Sequence, residues 1–239
     1  GAKNARGDDI SRMKRQVAAF LNFRPLGQKA DPLLNPETRI HRGFNHDLTG
    51  KLICPIHLDW SDPFTRESIR NKSIRTNDSF FIRAFYWNEE GDIRDVERGF
   101  LKGVLLVQTW REIFMHNGAI DDTGDFASDK DGNASVPAPQ RKKAKRSTRK
   151  CIADILNMTQ VTARSIAYCA VMLRFALSPV EIWGKDESFN YEGLYNTILD
   201  YFECPEPGSV GADHANDLLK WWNVYVSYVF LFAFHSLFL

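Results

Sequence analysis

An excess of charge of either sign is missing from this chain. Its 31 basic and 30 acidic residues leave a formal net charge of +1 over 239 residues. The whole-molecule field therefore implies neither a nucleic-acid nor a membrane partner, and only local clusters could. Cysteine is scarce as well. Cys54, Cys151, Cys169 and Cys204 lie far apart with no Cys-x-x-Cys pair, which argues against a disulfide framework or a zinc ribbon. Reduced thiols fit a cytosolic or nuclear protein. No Gly-x-Ser-x-Gly, Walker or dinucleotide-binding signature is present, so none of the chemistries those loops position is indicated. Repeats are not detectable. The polar N-terminus GAKNARGDD has no start methionine and no signal peptide, as expected of a fragment.

Hydrophobic residues make up 44% of the chain and aromatics 13%, enough to bury a sizeable core. The clearest core segment is Thr159–Leu177, TQVTARSIAYCAVMLRFAL, which reads as a helix apolar on nearly every side and therefore interior. Arg164 and Arg174 interrupt it. Either they form a buried cation that holds an anion, or they emerge at the edges of the helix or pair with an acid such as Asp200 or Glu181.

Around this segment the pattern is helical. Asp9 is placed to cap a first helix carrying Ile10, Met13, Val17, Phe20 and Leu21. Pro25, Pro32 and Pro36 then break regular structure to about residue 55, giving a long loop or wrapping arm. His41 and His46 fall in this arm and read as solvated. Ser61-Asp62-Pro63 starts a short helix running to about Asn71. Asp78–Asn88 is ambiguous between strand and helix, and its helical surroundings favour helix. Val96–His116 reads as a longer helix with Phe100, Val104, Val107, Trp110 and Phe114 in a stripe and Asn117-Gly118 as the stop. Gly99 and Gly103, four apart, either admit another backbone or simply weaken the helix start. Phe189–Phe202 and a last helix from Asp213 follow.

Residues 121–150 differ from the rest in composition. The first half is acidic and rich in Gly and Ser, and RKKAKRSTRK has seven basic residues in ten. Such a segment buries too little apolar surface to offset its ordering entropy and is expected to be disordered. Arg141, Lys142, Lys143, Lys145, Arg146, Arg149 and Lys150 suit either a nuclear-localisation or nucleic-acid contact or a solvated linker. No aromatic is interleaved, so base stacking is not suggested.

His57-x-Asp59 supplies two ligands of a non-haem iron facial triad if His116 or His214 supplies the third. A spacing of two arises easily by chance, and Asp59 also suits a nearby helix start. Glu89-Glu90 and Asp121-Asp122 are carboxylate pairs in polar loops, which solvation explains. No catalytic residue, resident metal or cofactor is expected.

Several blocks, in order, resemble a domain family of unknown function from mushroom-forming basidiomycete fungi. Cys54-Pro55 with Asp59-Trp60-Ser61-Asp62-Pro63 looks like its opening motif. Gly99-Phe100-Leu101 with Leu105-Leu106-Val107, and Ile113-Phe114, look like its middle helix. Ala153-x-Ile155-x-x-Met158, Ser165-Ile166-Ala167-Tyr168 and Arg174-Phe175-Ala176-Leu177-Ser178 resemble the next block, and Leu194-Tyr195-Asn196-x-Ile198-Leu199 and Trp221-Trp222-Asn223 the end. The resemblance spans about residues 52–223. It implies an architecture and no activity. Leu156 stands where other members often carry histidine. Beyond Asn223 the uncharged tail VYVSYVFLFAFHSLFL departs from the family ending. Trp221–Leu239, 19 uncharged residues, approaches the roughly 20 needed to span a bilayer. Polar Asn223, Ser227, His235 and Ser236 within the run, and the translation pattern of thymine-rich intron sequence, favour a non-native extension over an anchor.

These readings combine into an all-α single domain of six or seven helices. An N-terminal helix and arm occupy 1–50 and the helical unit 51–223, with a linker at 121–150 and a tail at 224–239. The expected role is a non-enzymatic binding or scaffold module with a protein partner. A nucleic-acid-associated protein using residues 141–150 comes second and a metal-dependent enzyme at His57 and Asp59 third. A nuclear or cytoplasmic location is expected, with a membrane partner only if the tail is an anchor.

Overall fold

A computed structural model describes residues 2–24, 27–77, 79–115, 151–183, 186 and 189–235, and within these the side chains of 7–24, 27–77, 79–115, 151–183, 186 and 189–226. The expected linker at 121–150, with all seven basic candidates, lies outside the described residues, as do His116 and the last four residues of the tail. Eight α-helices occur among the described residues: α1 (Ala2–Phe23), α2 (Asp47–Ile53), α3 (Pro63–Arg70), α4 (Val104–Phe114), α5 (Ile152–Ile155), α6 (Ala163–Leu177), α7 (Tyr191–Glu203) and α8 (Val210–His235). Pairing of strand type is confined there to one antiparallel bridge between Pro55 and Ile82. The fold is all-α, and α2 and α5, the two shortest helices, account for the excess over six or seven.

Helix α6 is the centre. Thr162 caps it reciprocally: the Ser165 amide donates to Thr162 Oγ1 at 3.2 Å and the Thr162 amide donates to Ser165 Oγ at 3.1 Å, satisfying two donors at the helix start. Twelve of its 15 residues are buried, more than one face can supply, so neighbours must cover it all round. Helices α1, α2, α4 and α7 do so. From α1 come Met13, Val17 and Leu21, spaced by four and so on one face. Asp9 lies inside α1 rather than at its cap. Its carboxylate pairs with Arg12 at 2.7 Å and accepts the Tyr168 hydroxyl at 2.9 Å.

The segment Val96–Gly103, expected to be helical, is not. Gly99 and Leu101 take positive φ of 76° and 54°, which ends any helical run, and α4 begins only after Gly103. A Cβ on Gly103 would stand 2.2 Å from the Ala84 carbonyl oxygen, so this glycine marks a close approach of two backbones. Asp78–Asn88 contains one turn of 3₁₀ helix, Arg83–Phe85, held against the 99–103 turn by the Trp87 amide to Gly99 O at 3.1 Å and the Gly103 amide to Phe85 O at 3.0 Å. Glu89 is not merely solvated: it forms an ion pair with the buried Arg24.

The arm also holds more structure than its prolines suggest. Helix α2 lies within it and is capped by His46, which is buried. Its Nδ1 accepts from the Leu48 amide at 3.1 Å, and its Nε2 lies 2.7 Å from the Pro32 carbonyl oxygen. Helix α3 begins where expected, the Asp62 carboxylate accepting from the Phe64 and Thr65 amides.

Trp221-Trp222-Asn223 ties α8 to the rest. Trp222 is fully buried and donates to the Leu101 carbonyl at 3.0 Å. The Asn223 side chain accepts from the Val161 amide at 2.7 Å, just ahead of α6. Helix α8 continues past Asn223 without a break, Tyr225 stacking on Trp221 at 4.7 Å and Val226 buried. Among the described residues no helix is long and apolar enough to cross a membrane.

Candidate functional site

The C-terminal end of α6 is crowded with arginines. Its last carbonyls lack helical partners, as at any helix end, and the arm supplies the donors. Arg39 donates Nη1 to Phe175 O and Nη2 to Glu181 O, both at 3.0 Å, with its guanidinium 3.9 Å over the Phe175 ring. Arg42 donates Nη1 to Ala176 O at 2.8 Å, and Nη2 to Lys14 O at 2.7 Å and Asn35 O at 3.0 Å. Burial, then the like charge of Arg39, push the Arg42 pKa down to about 10. Both side chains are 1% exposed. They read as structural cations, and they sit in the arm where a proline-broken loop suggested solvation.

Arg174 differs. It is 6% exposed, yet it donates no hydrogen bond among the described residues; its Nε is buried without a partner, as are those of Arg39 and Arg42, but here the terminal nitrogens are unmatched as well. Its guanidinium lies 4.3 Å over the Phe189 ring. Burial lowers its pKa, opposed by Tyr191 and Asp186. Neither acid named from the sequence pairs with Arg164 or Arg174. Glu181 accepts from the Arg39 amide and from Thr38, and the exposed Arg164 lies 3.6 Å from Glu203, one turn beyond Asp200.

Arg174 lines a cleft of about 610 Å³ between the α6–α7 connection and the loop after α3. Phe44, Ile69, Ile74 and Val180 give it apolar walls, while Arg70, Lys72 and Arg75 stand at the rim. Arg70 closes the last turn of α3, held by Phe44 O at 2.9 Å and Asp47 at 2.8 Å. The loop 71–75 is folded by Asn71, which accepts from the Ser73 amide and hydroxyl at 3.0 and 2.6 Å, and by the Ile74 amide bonding Ser68 O at 3.0 Å. Among the described residues Asp186 is the acid in the lining, and its carboxylate accepts the Tyr191 hydroxyl at 2.6 Å. A buried cation, three rim cations and apolar walls can hold an anion with an apolar body. Sequence reasoning singled out Arg174 and missed the rim, although Arg70, Lys72 and Arg75 fall within six residues and form a local basic cluster.

His57 and Asp59 are both exposed. The Asp59 carboxylate accepts from the Ser61 amide at 2.9 Å and hydroxyl at 2.7 Å, which holds its pKa below the ordinary value. His214 is paired with Glu97. Among the described residues no three His, Cys, Asp or Glu side chains gather as metal ligands. The basic run 141–150 lies outside the described residues.

No curated protein and no solved structure matches this chain. A family model described as a family of unknown function does match, over residues 1–227, and on that match the chain belongs to DUF6698.

Proposed function

We propose that this chain is a non-enzymatic binding module and that the cleft beside Arg174 is its binding site. The observation that carries the reading is the cleft itself. Its volume of about 610 Å³ lies in the range of small-ligand pockets, roughly 300–1,000 Å³, and it combines apolar walls with a few convergent polar groups, as such pockets do. The neutral dye N-phenyl-1-naphthylamine tests it. One molecule should bind per chain with enhanced fluorescence, and Ile74→Trp, which fills the cleft from a partly buried loop position, should abolish that signal. A dye signal indifferent to Ile74→Trp, or no signal, overturns the reading.

A second reading, a nucleic-acid contact through Arg141–Lys150, rests on seven basic residues in ten. Binding to mixed DNA or RNA that weakens steeply with salt and vanishes on deletion of residues 141–150 would support it. A fungal source and a nuclear or cytoplasmic location are proposed with it, on the motif blocks and on the reduced state expected of four free thiols. The family match ends at residue 227. A non-native tail is expected from Val224; the match and the packing of Tyr225 and Val226 remove 224–227 from it, and an intron-derived origin is proposed for the rest, which a spliced message encoding the whole tail would refute.

A further inference from the structure

We infer that the cleft takes a small organic oxyanion, a carboxylate or phosphate monoester on an apolar body, with its charged group held by Arg174; this rests on the reading of the cleft as a binding site. Three arginines near the end of α6 are buried to a similar degree. In Arg39 and Arg42 both terminal nitrogens meet carbonyl oxygens. Arg174 meets none among the described residues: the Phe189 ring lies 4.3 Å from it, and Asp186 and Tyr191 act on its charge without bonding to it. A guanidinium removed from water without acceptors is costly. The ring compensates one face and leaves the donor edge unmatched, and a bound oxyanion would match it. The guanidinium fork fits a carboxylate or phosphate through two parallel hydrogen bonds, which a single-point cation does not.

The surroundings select the same chemistry. Arg70, Lys72 and Arg75 line the rim. Asp47, outside the cleft lining, partly answers Arg70 at 2.8 Å, while Lys72 and Arg75 are exposed and take part in no ion pair among the described residues. Asp186 is drawn toward Tyr191 by the 2.6 Å hydrogen bond. Among the described residues the lining carries more positive than negative charge, and a concave site with such an excess concentrates ligands of the other sign. Phe44, Ile69, Ile74 and Val180 offer a hydrocarbon body its contact surface.

Displacement of N-phenyl-1-naphthylamine from the full-length chain by decanoate, decyl phosphate and decanol tests the inference. The three share an alkyl body and differ in head group. At least one oxyanion should displace the dye at about tenfold lower concentration than decanol, a difference of the size one good charged contact provides. Whichever oxyanion is stronger identifies the head group. Arg174→Met should bring the oxyanion down to the level of decanol while leaving decanol itself unchanged. Arg75→Gln, at an exposed position, should narrow the advantage without any risk to folding. Equal displacement by all three in the parent chain, or an advantage that Arg174→Met leaves intact, overturns the assignment of the oxyanion to Arg174 while leaving the binding site standing. A dye that never binds overturns the site instead.

Discussion

Replacing Gly103 by alanine probes the junction of the 83–85 turn with the start of α4. Gly103 has φ −58° and ψ 130°, a conformation open to any residue, so backbone strain plays no part. The cost is contact. An added Cβ would stand 2.2 Å from Ala84 O and 3.0 Å from the Phe85 carbonyl carbon, whereas carbon contacts settle near 3.5–4.0 Å. The two backbones must therefore part by about 1 Å, and neither can swing aside as a flexible side chain would. Ala84 and Phe85 are fully buried, so parting them disturbs the core. It also strains the 3.0 Å bond from the Gly103 amide to Phe85 O. Overpacking of about 1–3 kcal/mol with about 1 kcal/mol for the weakened bond gives about 2–4 kcal/mol. Urea unfolding followed by circular dichroism measures it, and the midpoint should fall with the slope unchanged. Gly7→Ala is the control. It lies in α1 with nothing within 4 Å of the new methyl, and should stabilise by up to about 1 kcal/mol. A Gly103→Ala midpoint no lower than the parent's would show that these backbones do not meet, and the reasoning would fail.

Leu173→Ala in α6, at a position with no exposure, should cost about 2–5 kcal/mol in the same assay. One substitution at two arginines should give two results: Arg42→Met strands the carbonyls of Ala176, Lys14 and Asn35 and should cost about 3 kcal/mol or more, while Arg174→Met strands no described acceptor and should change stability by less than about 1 kcal/mol. Ellman's reagent at pH 8 should label the exposed Cys204 in the native protein, at a rate slowed by the hydrogen bond to Asp200 that raises its pKa, and the other three, buried thiols only after unfolding; burial also pushes Cys54 up to about 11 and Cys169 well above its ordinary value. Burial works to raise the Glu181 pKa, but the Arg39 amide, the Thr38 hydroxyl and the Arg39 and Lys14 charges together hold it below its ordinary 4.5. The unfolded chain therefore takes up this proton first, so the contribution is present above pH 4.5 and is lost as pH falls through the folded value. Glu181→Gln should make the acid limb of a stability–pH profile shallower.

What the sequence disclosed depended on whether a signal was local. Helix α6 was legible because nearly every residue in it is apolar, and the start of α3 because Asp62-Pro63 pairs a cap with a residue suited to the first turn. Helix α2 was hidden by the prolines before it and by a cap, His46, outside the usual Ser, Thr, Asp and Asn. Helix α4 was drawn too long because the stripe from Phe100 onward keeps helical spacing, while the positive φ values that break it at Gly99 and Leu101 are imposed by packing on the 83–85 turn. Arg39 and Arg42 gave no sign of burial because their acceptors are carbonyls, which every residue carries. In the cleft, Arg174 was conspicuous as a charge within an apolar helix. The fold alone brings Arg70, Lys72 and Arg75 to face it, from about a hundred residues away in the chain.

The bonds from Arg39 and Arg42 to the end of α6 join residues 136 and 134 positions apart. On a ribosome adding about 5–20 residues per second, that separation is a wait on the order of ten seconds. Throughout it the arm has its bonds to α1 and to itself, such as Arg42 to the Lys14 and Asn35 carbonyls, but Met13, Val17 and Leu21 of α1 have no α6 to cover them. Closing so long a span adds little to the equilibrium cost, which grows only with the logarithm of length, but it slows the search. Until α6 emerges, the apolar face of α1 and the guanidinium ends bound for α6 are therefore open to chaperones and proteases, although in the finished protein Arg39 and Arg42 are among the least accessible groups.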